Sequence, residues 1–325
     1  MTISADDLTI RSADASDQEA VEALLRNALG KDDDPNYPAF LEWKHRQNAF
    51  GVSPAWVAVH EARIVGYRTF MRWAFRTGEG KRVTAVRAVD TATDPDYQGL
   101  GIFRRLTLQG VADLTLAGDG IVFNTPNDKS RPGYLKMGWQ VSRRVPIGVL
   151  PRTPQSLIRM ATSRVAASIW SEETQVGLPA ANALTDLATA SALLAHAPSR
   201  AFRTDRTPEY LAWRTAFEPL NYRLLLADES DPRMGGLIFR LRRRGAALEA
   251  AVIEQLVPDV RTGVRLMARM LNLTKADYAI AVRTSPSTGL IPLPGNGPLL
   301  TTRPLAASPP PAKEWALTLG DLELF

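Results

Sequence analysis

The chain contains no cysteine, so it can form neither disulfide bonds nor thiolate metal sites, and no cysteine nucleophile can carry an acyl group. Its three histidines, His45, His60 and His196, lack the close spacing of zinc ligands. No apolar run approaches the roughly 20 residues that a membrane helix needs, and the first residues include no apolar signal region. We therefore expect a cytoplasmic protein without a membrane span or a metal centre.

A length of 325 residues exceeds one typical domain, and a hydrophobic content of 45% is enough to build a core in each of two. The net charge of +5 comes from dispersed basic residues. Their densest cluster, Arg240 with Arg242, Arg243 and Arg244, lies where one predicted strand turns toward the next. We interpret this cluster as an exposed hairpin tip and expect no nucleic-acid partner.

The most informative segment covers residues 94–106. Residues 83–93 predict a strand before it, and residues 102–116 predict a helix after it. Gly99 and Gly101 have no Cβ atoms, so the backbone between strand and helix can approach a ligand closely. The first turn of a helix offers unpaired N–H groups and partial positive charge. These features together predict a diphosphate site, although the spacing fits neither a Walker loop nor a dinucleotide fingerprint.

This segment resembles the acyl-CoA loop of the GNAT family of N-acetyltransferases, Gln/Arg-x-x-Gly-x-Gly/Ala. Gln98 and Gly101 match that pattern, whereas Phe103 departs from it at the last position. A predicted strand at residues 120–124, then Asn127 and Tyr134, is similar to the order of GNAT enzymes. The resemblance implies acetyl-CoA as cosubstrate and direct transfer of acetyl to a primary amine of a small molecule within a ternary complex.

The resemblance also implies roles for particular residues. Tyr134 is the expected general acid for the CoA thiolate. Asp90 is a candidate general base if partial burial raises its pKa, and the alternative is that it braces the backbone or orients a cationic substrate. Ser130 could instead cap a short helix. The residues expected to bind acetyl-CoA are Thr91, Ala92, Thr93, Gln98, Gly99, Leu100, Gly101, Ile102, Phe103, Arg104, Asn127 and Ser130.

An internal repeat indicates a duplicated domain, because the seven residues 38–44 (PAFLEWK) recur as residues 208–214 (PEYLAWR). A predicted helix precedes each copy and a predicted strand pair follows it. We interpret the repeated helix as one that packs its aromatic face on a sheet. At the loop position, residues 256–264 of the second copy keep one glycine and lack the glutamine.

We therefore predict an α/β protein of two tandem GNAT-like domains, each with a mixed, mostly antiparallel central sheet flanked by helices. Residues 1–150 form the domain with the acetyl-CoA loop, 151–179 a linker that is helical over 155–169, and 180–325 a degenerate domain. That domain ends in a predicted strand over 315–325. It would shape the acceptor cleft or an oligomer contact.

Two alternatives stay open. Tandem folds of this shape also occur in aminoacyl-tRNA-dependent peptidyl transferases, and a domain of this kind can bind acyl-CoA as a sensor without catalysis. The sequence does not determine the amine acceptor, the acyl length, or whether the chain forms a homo-oligomer.

Overall fold

The structure is a computed structural model that describes residues 4–31, 33–198, 200–283, 289–293 and 297–322. The chain divides into two compact units. The first comprises the described residues of 1–75, 81–143 and 299–312, and the second those of 76–80, 144–298 and 313–325. Residues 299–312 thus fold with the first unit, whereas the sequence had placed them in the C-terminal domain.

The secondary structure alternates between strands and helices along the whole described chain. In chain order the strands are β1 (Thr9–Ser12), β2 (Ala55–His60), β3 (Arg63–Arg76), β4 (Arg82–Thr93), β5 (Ile121–Asn124), β6 (Gln140–Arg144), β7 (Ile147–Pro151), β8 (Leu178–Pro179), β9 (Arg203–Thr204), β10 (Arg223–Leu226), β11 (Gly236–Arg244), β12 (Ala247–Leu256), β13 (Tyr278–Val282), β14 (Ile291–Pro292) and β15 (Leu299–Pro304). The helices are α1 (Gln18–Leu29), α2 (Tyr37–His45), α3 (Ile102–Leu116), α4 (Arg131–Lys136), α5 (Pro154–Thr162), α6 (Ala180–Ala183), α7 (Leu187–Leu194), α8 (Pro208–Thr215), α9 (Val260–Thr274) and α10 (Leu319–Leu322).

The first unit has a sheet with the strand order β1-β2-β3-β4-β5-β15-β6. β4 and β5 are parallel, and their pairing runs from Ala85 with Ile121 to Arg87 with Phe123. β4 continues to Thr93 while β5 ends at Asn124, so the two strands part beyond this short pairing. The helix α3 has the predicted bounds and buries Ile102 and Leu106 in the core of this unit.

The second unit has a sheet with the order β14-β7-β13-β12-β11-β10-β8. β12 and β13 are again parallel over a short stretch, from Glu249 with Tyr278 to Ala251 with Ile280, before β12 continues to Leu256. Its core joins apolar residues of the sheet to the buried face of α9. The predicted fold class, two α/β units that each have a mixed sheet flanked by helices, is confirmed.

Three sequence-based expectations about the second unit are wrong. In place of a strand over 315–325, Trp315 forms one isolated bridge with Phe202 and residues 319–322 are helical, while 323–325 lie outside the described residues. The helix predicted over 155–169 ends at Thr162. The arginine cluster is a solvated hairpin tip only at Arg243, because Arg240 is fully buried and Arg242 and Arg244 pair with the buried Glu249.

The aromatic residues of the repeated helix are buried in both copies, Phe40 and Trp43 on α2 and Tyr210 and Trp213 on α8. Within the residues that the structure describes, no helix is both long and apolar enough to cross a lipid bilayer.

Candidate active site

The turn between β4 and α3 exposes backbone amides. Asp94 accepts a hydrogen bond from the amide of Asp96 at 3.0 Å and starts a short 3-10 turn. Gly99 and Gly101 then adopt φ values of +85° and +71°, which favour glycine. α3 begins directly after Gly101 without a side-chain cap, so its first N–H groups have no intrahelical partner. A Cβ added at either glycine would meet no atom within 4 Å, so there is open space beside these amides.

A surface cleft of about 570 Å³ lies at this turn. It brings together most of the residues that the sequence assigned to cofactor binding. The lining residues are Ala28, Thr91, Ala92, Thr93, Tyr97, Gln98, Gly99, Gly101, Ile102 and Phe103. The segment of β4 that forms one wall is the part that extends beyond its pairing with β5.

Three residues of this segment do not line the cleft. Leu100 packs against the hydrophobic core of the first unit, and Arg104 is exposed on the first turn of α3. The neighbouring Arg105 donates hydrogen bonds to the carbonyls of Ala5 and Leu8. Only Arg104 of the two arginines is therefore available to an anion at the start of the helix.

Asn127 and Ser130 are each other's hydrogen-bond partners. Asn127 Oδ1 accepts from the Ser130 amide at 2.9 Å and from Ser130 Oγ at 3.0 Å, just before α4. Asn127 is exposed, and neither side chain is among the residues that line the cleft. In this arrangement both residues shape the entry into α4.

Tyr134 is buried on α4 beside the cleft wall. Its ring meets Phe103 edge-on, with ring centroids 5.4 Å apart, and lies 5.1 Å from the ring of Trp139. Its hydroxyl accepts a hydrogen bond of 2.7 Å from Nη2 of Arg68 on β3. Phe103 also lines the cleft, so Tyr134 contacts a residue of the cleft wall.

Asp90 joins three other polar residues in what we call the Asp90 cluster (Lys44, His45, Ser53 and Asp90). Its Oδ2 lies 2.7 Å from Nζ of Lys44 and 2.7 Å from Nε2 of His45. The other ring nitrogen of His45, Nδ1, lies 3.0 Å from Ser53 Oγ. Asp90 has a φ of +40°, unusual for a non-glycine residue, and directly precedes the three β4 residues that line the cleft.

The electrostatics of the cluster differ from the sequence-based expectation. Burial by itself would raise the pKa of Asp90, but the Lys44 ammonium and the His45 ring outweigh it and hold the pKa well below its usual range. Burial lowers the pKa of His45 by more than its hydrogen bond to Asp90 raises it. Asp90 is thus ionised and His45 neutral near pH 7. An ionised carboxylate only accepts hydrogen bonds, so we assign Nε2–H of His45 to Asp90 and its Nδ1 lone pair to the Ser53 hydroxyl.

A cavity of about 490 Å³ adjoins this cluster between α1, α2 and the sheet of the first unit. His45, Ser53 and Tyr67 line it together with apolar residues such as Val21 and Leu41. Burial raises the pKa of Tyr67, so its phenol is neutral. The cluster therefore presents a neutral histidine and a hydroxyl to a mostly apolar cavity.

Sequence reasoning missed Lys44, His45, Ser53 and Arg68. Lys44 and His45 are 46 and 45 positions away from Asp90 along the chain, so no local motif joins them. The one available signal was their place at the end of the repeated aromatic helix. Among the described residues, no group of three or more His, Cys, Asp or Glu could hold a metal ion.

Comparison with protein families gives one match: the model for an acetyltransferase (GNAT) domain covers residues 9–142. This range contains the turn, the cleft, Tyr134 and the Asp90 cluster. No curated protein sequence matches the chain.

Solved structures share the fold of both units. A probable N-acyltransferase from Enterococcus faecalis has a TM-score of 0.64 at 12% identity, covering 92% of this chain and 73% of that one. A GCN5-related N-acetyltransferase from Anabaena variabilis has a TM-score of 0.64 at 13% identity, with the same coverage. Eis1 from Mycobacterium abscessus has a TM-score of 0.57 at 13% identity and covers 92% of this chain and 73% of its own.

Proposed function

We propose that the protein is an acyl-CoA-dependent N-acyltransferase, moving acetyl from acetyl-CoA to a primary amine of a small molecule, since residues 9–142 match the model for an acetyltransferase (GNAT) domain. The observation that carries this proposal is the uncapped start of α3 behind Gly99 and Gly101, at the edge of a cleft. Amides at a helix start are suited to a diphosphate, because they combine hydrogen-bond donors with the positive end of the helix dipole.

The rest of the cleft fits the remainder of the cofactor. Thr91, Ala92 and Thr93 offer backbone groups of β4 beyond the parallel pairing with β5, and these would bind the amides of the pantetheine arm. Arg104 would add charge beside the diphosphate. Asn127 and Ser130 would contact the arm only after exchanging the hydrogen bonds that they now make with each other.

The acid–base chemistry divides between two buried groups. The amine attacks the thioester carbonyl, the C–S bond breaks, and Tyr134 gives its proton to the departing sulfur. In the Asp90 cluster we assign proton acceptance to neutral His45, through the Ser53 hydroxyl, and orientation of the ring to Asp90. The pKa of both groups is lowered, but the Asp90 carboxylate is engaged by Lys44 and His45, whereas the neutral His45 ring keeps an Nδ1 lone pair that can take a proton from Ser53.

The diphosphate site is tested by Gly101→Glu. The carboxylate would be placed in the open space beside the first turn of α3 and would repel the diphosphate, so calorimetry should show loss of acetyl-CoA affinity by at least a hundredfold. Gly118→Glu is the matched control, because Gly118 follows the same helix, has a φ of +81° and also faces open space. Equal affinity in the two variants would contradict the proposed site.

The catalytic part is tested separately by thiol release from acetyl-CoA with amino sugars, aminoglycosides, polyamines, amino acids and peptides as acceptors. Turnover with one class identifies the acceptor. Tight acetyl-CoA binding without turnover in the whole panel would instead indicate an acyl-CoA-binding sensor.

A further inference from the structure

Arg68 is a fully buried cation without a counter-ion. Its side chain lies on β3 inside the first unit, with 0% of its surface exposed. Nη2 donates to the Tyr134 hydroxyl at 2.7 Å, while Nε and Nη1 have no hydrogen-bond partner. In the described parts of the chain no carboxylate pairs with it. Native proteins rarely leave buried polar atoms without partners, so this arrangement needs an explanation.

Aromatic rings form the surroundings of the guanidinium group. Its Cζ lies 4.8 Å from the ring centre of Phe70, 5.3 Å from that of Tyr134 and 5.6 Å from that of Phe103. Cation–π attraction offsets part of the desolvation cost but does not remove the charge. Arginine stays protonated in proteins, so the first unit maintains a buried positive charge directly beside the Tyr134 oxygen.

Packing alone does not call for this charge. In the second unit, the β11 residues that share a core with α9 are Leu237, Phe239 and Leu241, all apolar and buried. Well-packed apolar residues in place of a buried ion are often neutral or stabilising. The arginine therefore has a cost in stability that a purely structural role would avoid.

The hydrogen-bond pattern fixes the direction of the Tyr134 proton. A guanidinium group only donates, so the phenol oxygen must accept from Arg68 and its own O–H is left to donate elsewhere. Phe103 and Trp139 hold the ring from two sides. The phenol is thus oriented as a donor with a cation behind it.

We propose that Arg68 is a positioning residue for Tyr134, which holds the phenol ready to donate to the CoA sulfur and stabilises the negative charge that develops on the phenol oxygen. The inference rests on the proposed function. When the C–S bond breaks, its electron pair stays on sulfur and the phenol proton moves to it. The attacking amine loses its proton to His45 through Ser53, His45 releases it to solvent, and the phenol takes a proton back from solvent, so protons balance over one turnover.

An equilibrium measurement tests this without an acceptor. Calorimetry compares CoA with desulfo-CoA at pH 9, close to the pKa of a thiol, so that both the thiol and the thiolate are present. The wild-type protein should prefer CoA by about tenfold, which corresponds to about 1.4 kcal/mol, because a hydrogen bond backed by a cation reaches the sulfur. Arg68→Met, Tyr134→Phe and the double variant should all lose this preference to the same extent.

Arg87→Met is the matched control. Arg87 is another buried arginine of the first unit that stacks on an aromatic ring, Phe123, and its Nη2 donates to Thr125 rather than to Tyr134. This variant should keep the tenfold preference. Arg68→Met should keep the wild-type melting temperature or exceed it, which separates the proposed role from a folding defect.

The other outcomes are distinct. A preserved preference in Arg68→Met, or its loss in Arg87→Met as well, overturns the role of Arg68. Wild-type binding of both ligands with equal affinity overturns it too, while leaving the CoA site in place. Binding of neither ligand by the wild-type protein overturns the proposed function, and the role of Arg68 with it.

Discussion

The two units share a strand, a turn and a helix, but they treat the start of that helix in opposite ways. In the first unit α3 starts behind Gly101 without a side-chain cap. In the second, the Asp259 carboxylate caps α9 by accepting from the Thr262 amide at 2.8 Å and from Thr262 Oγ1 at 3.2 Å. A carboxylate of the chain thus sits where the first unit leaves open amides. The same strand, turn and helix can therefore bind an external anion through open amides or bond those amides to a carboxylate of the chain. The presence of a capping residue such as Asp259 decides which of the two occurs.

The units also differ in how they neutralise a buried carboxylate on the long strand. Asp90 on β4 faces two nitrogen groups, Lys44 and His45, and is held ionised. Glu254 on β12 has to share Arg206 with Asp321. Burial raises the pKa of Glu254 to about 7, since Arg206 offsets the effect only in part and Asp321 adds to it. In the first core one carboxylate has Lys44 to itself, whereas in the second two carboxylates share Arg206. The pKa of Asp90 is therefore lowered and that of Glu254 is raised.

The largest expected effect comes from Asp90→Asn, which removes the negative charge that faces Lys44 in the first unit. It leaves the Lys44 ammonium buried with 1% side-chain exposure and no counter-charge, so the unfolding free energy should fall by about 3–5 kcal/mol. Denaturant unfolding of the whole chain measures this. The control Asp231→Asn disrupts an ion pair with Arg233, whose side chain is 81% exposed, and should leave the unfolding free energy nearly unchanged. Similar losses of unfolding free energy in Asp90→Asn and Asp231→Asn would contradict this prediction.

The contributions of Glu254 and Asp90 to the unfolding free energy should depend on pH with opposite signs. A raised pKa means that folded Glu254 binds its proton more tightly than the unfolded chain does. The unfolding free energy should therefore decrease as pH rises from 4.5 to about 7, by roughly 3 kcal/mol, and Glu254→Gln should abolish this slope. Asp90 has a lowered pKa, so its contribution is present above its ordinary value of 3.8 and is lost as pH falls below it. A wild-type slope that persists in Glu254→Gln would contradict this assignment.

The smallest expected effect concerns the helix starts. Asp259→Ala removes the cap of α9 and should lower the unfolding free energy, whereas Asp259→Asn, which can still cap, should leave it nearly unchanged. Thermal or denaturant unfolding distinguishes the two variants. If both cost the same, the charge rather than the cap of Asp259 stabilises α9.

Local patterns in the sequence predicted the elements that have strong local signals. The bounds of α3 coincide with those expected, because helical periodicity marks them. The helix that the sequence predicts before the second copy of the repeat, over 184–196, is shorter in the structure, because α7 begins at Leu187 behind the Asp186 cap and ends at Leu194. A side chain that caps a helix start can end a longer apolar pattern, and hydrophobic periodicity does not register it.

The features that the sequence did not predict depend on contacts between residues far apart in the chain. The sequence placed Thr91, Gly99 and Phe103 together because they are neighbours in one motif, and the cleft contains all three. It could not place Arg68 beside Tyr134 or His45 beside Asp90, since those pairs are separated by 66 and 45 positions. Nor could it anticipate that β15 lies between β5 and β6.

The position of β15 constrains how the first unit can form during synthesis. A ribosome would have to translate residues 144–298 before it makes the strand that completes the first sheet. Until then β5 and β6 present unpaired edges, which are sites where other chains can add. The nascent chain therefore has to protect an incomplete first sheet while residues 144–298 are translated. Its dependence on chaperones should be greatest in that interval.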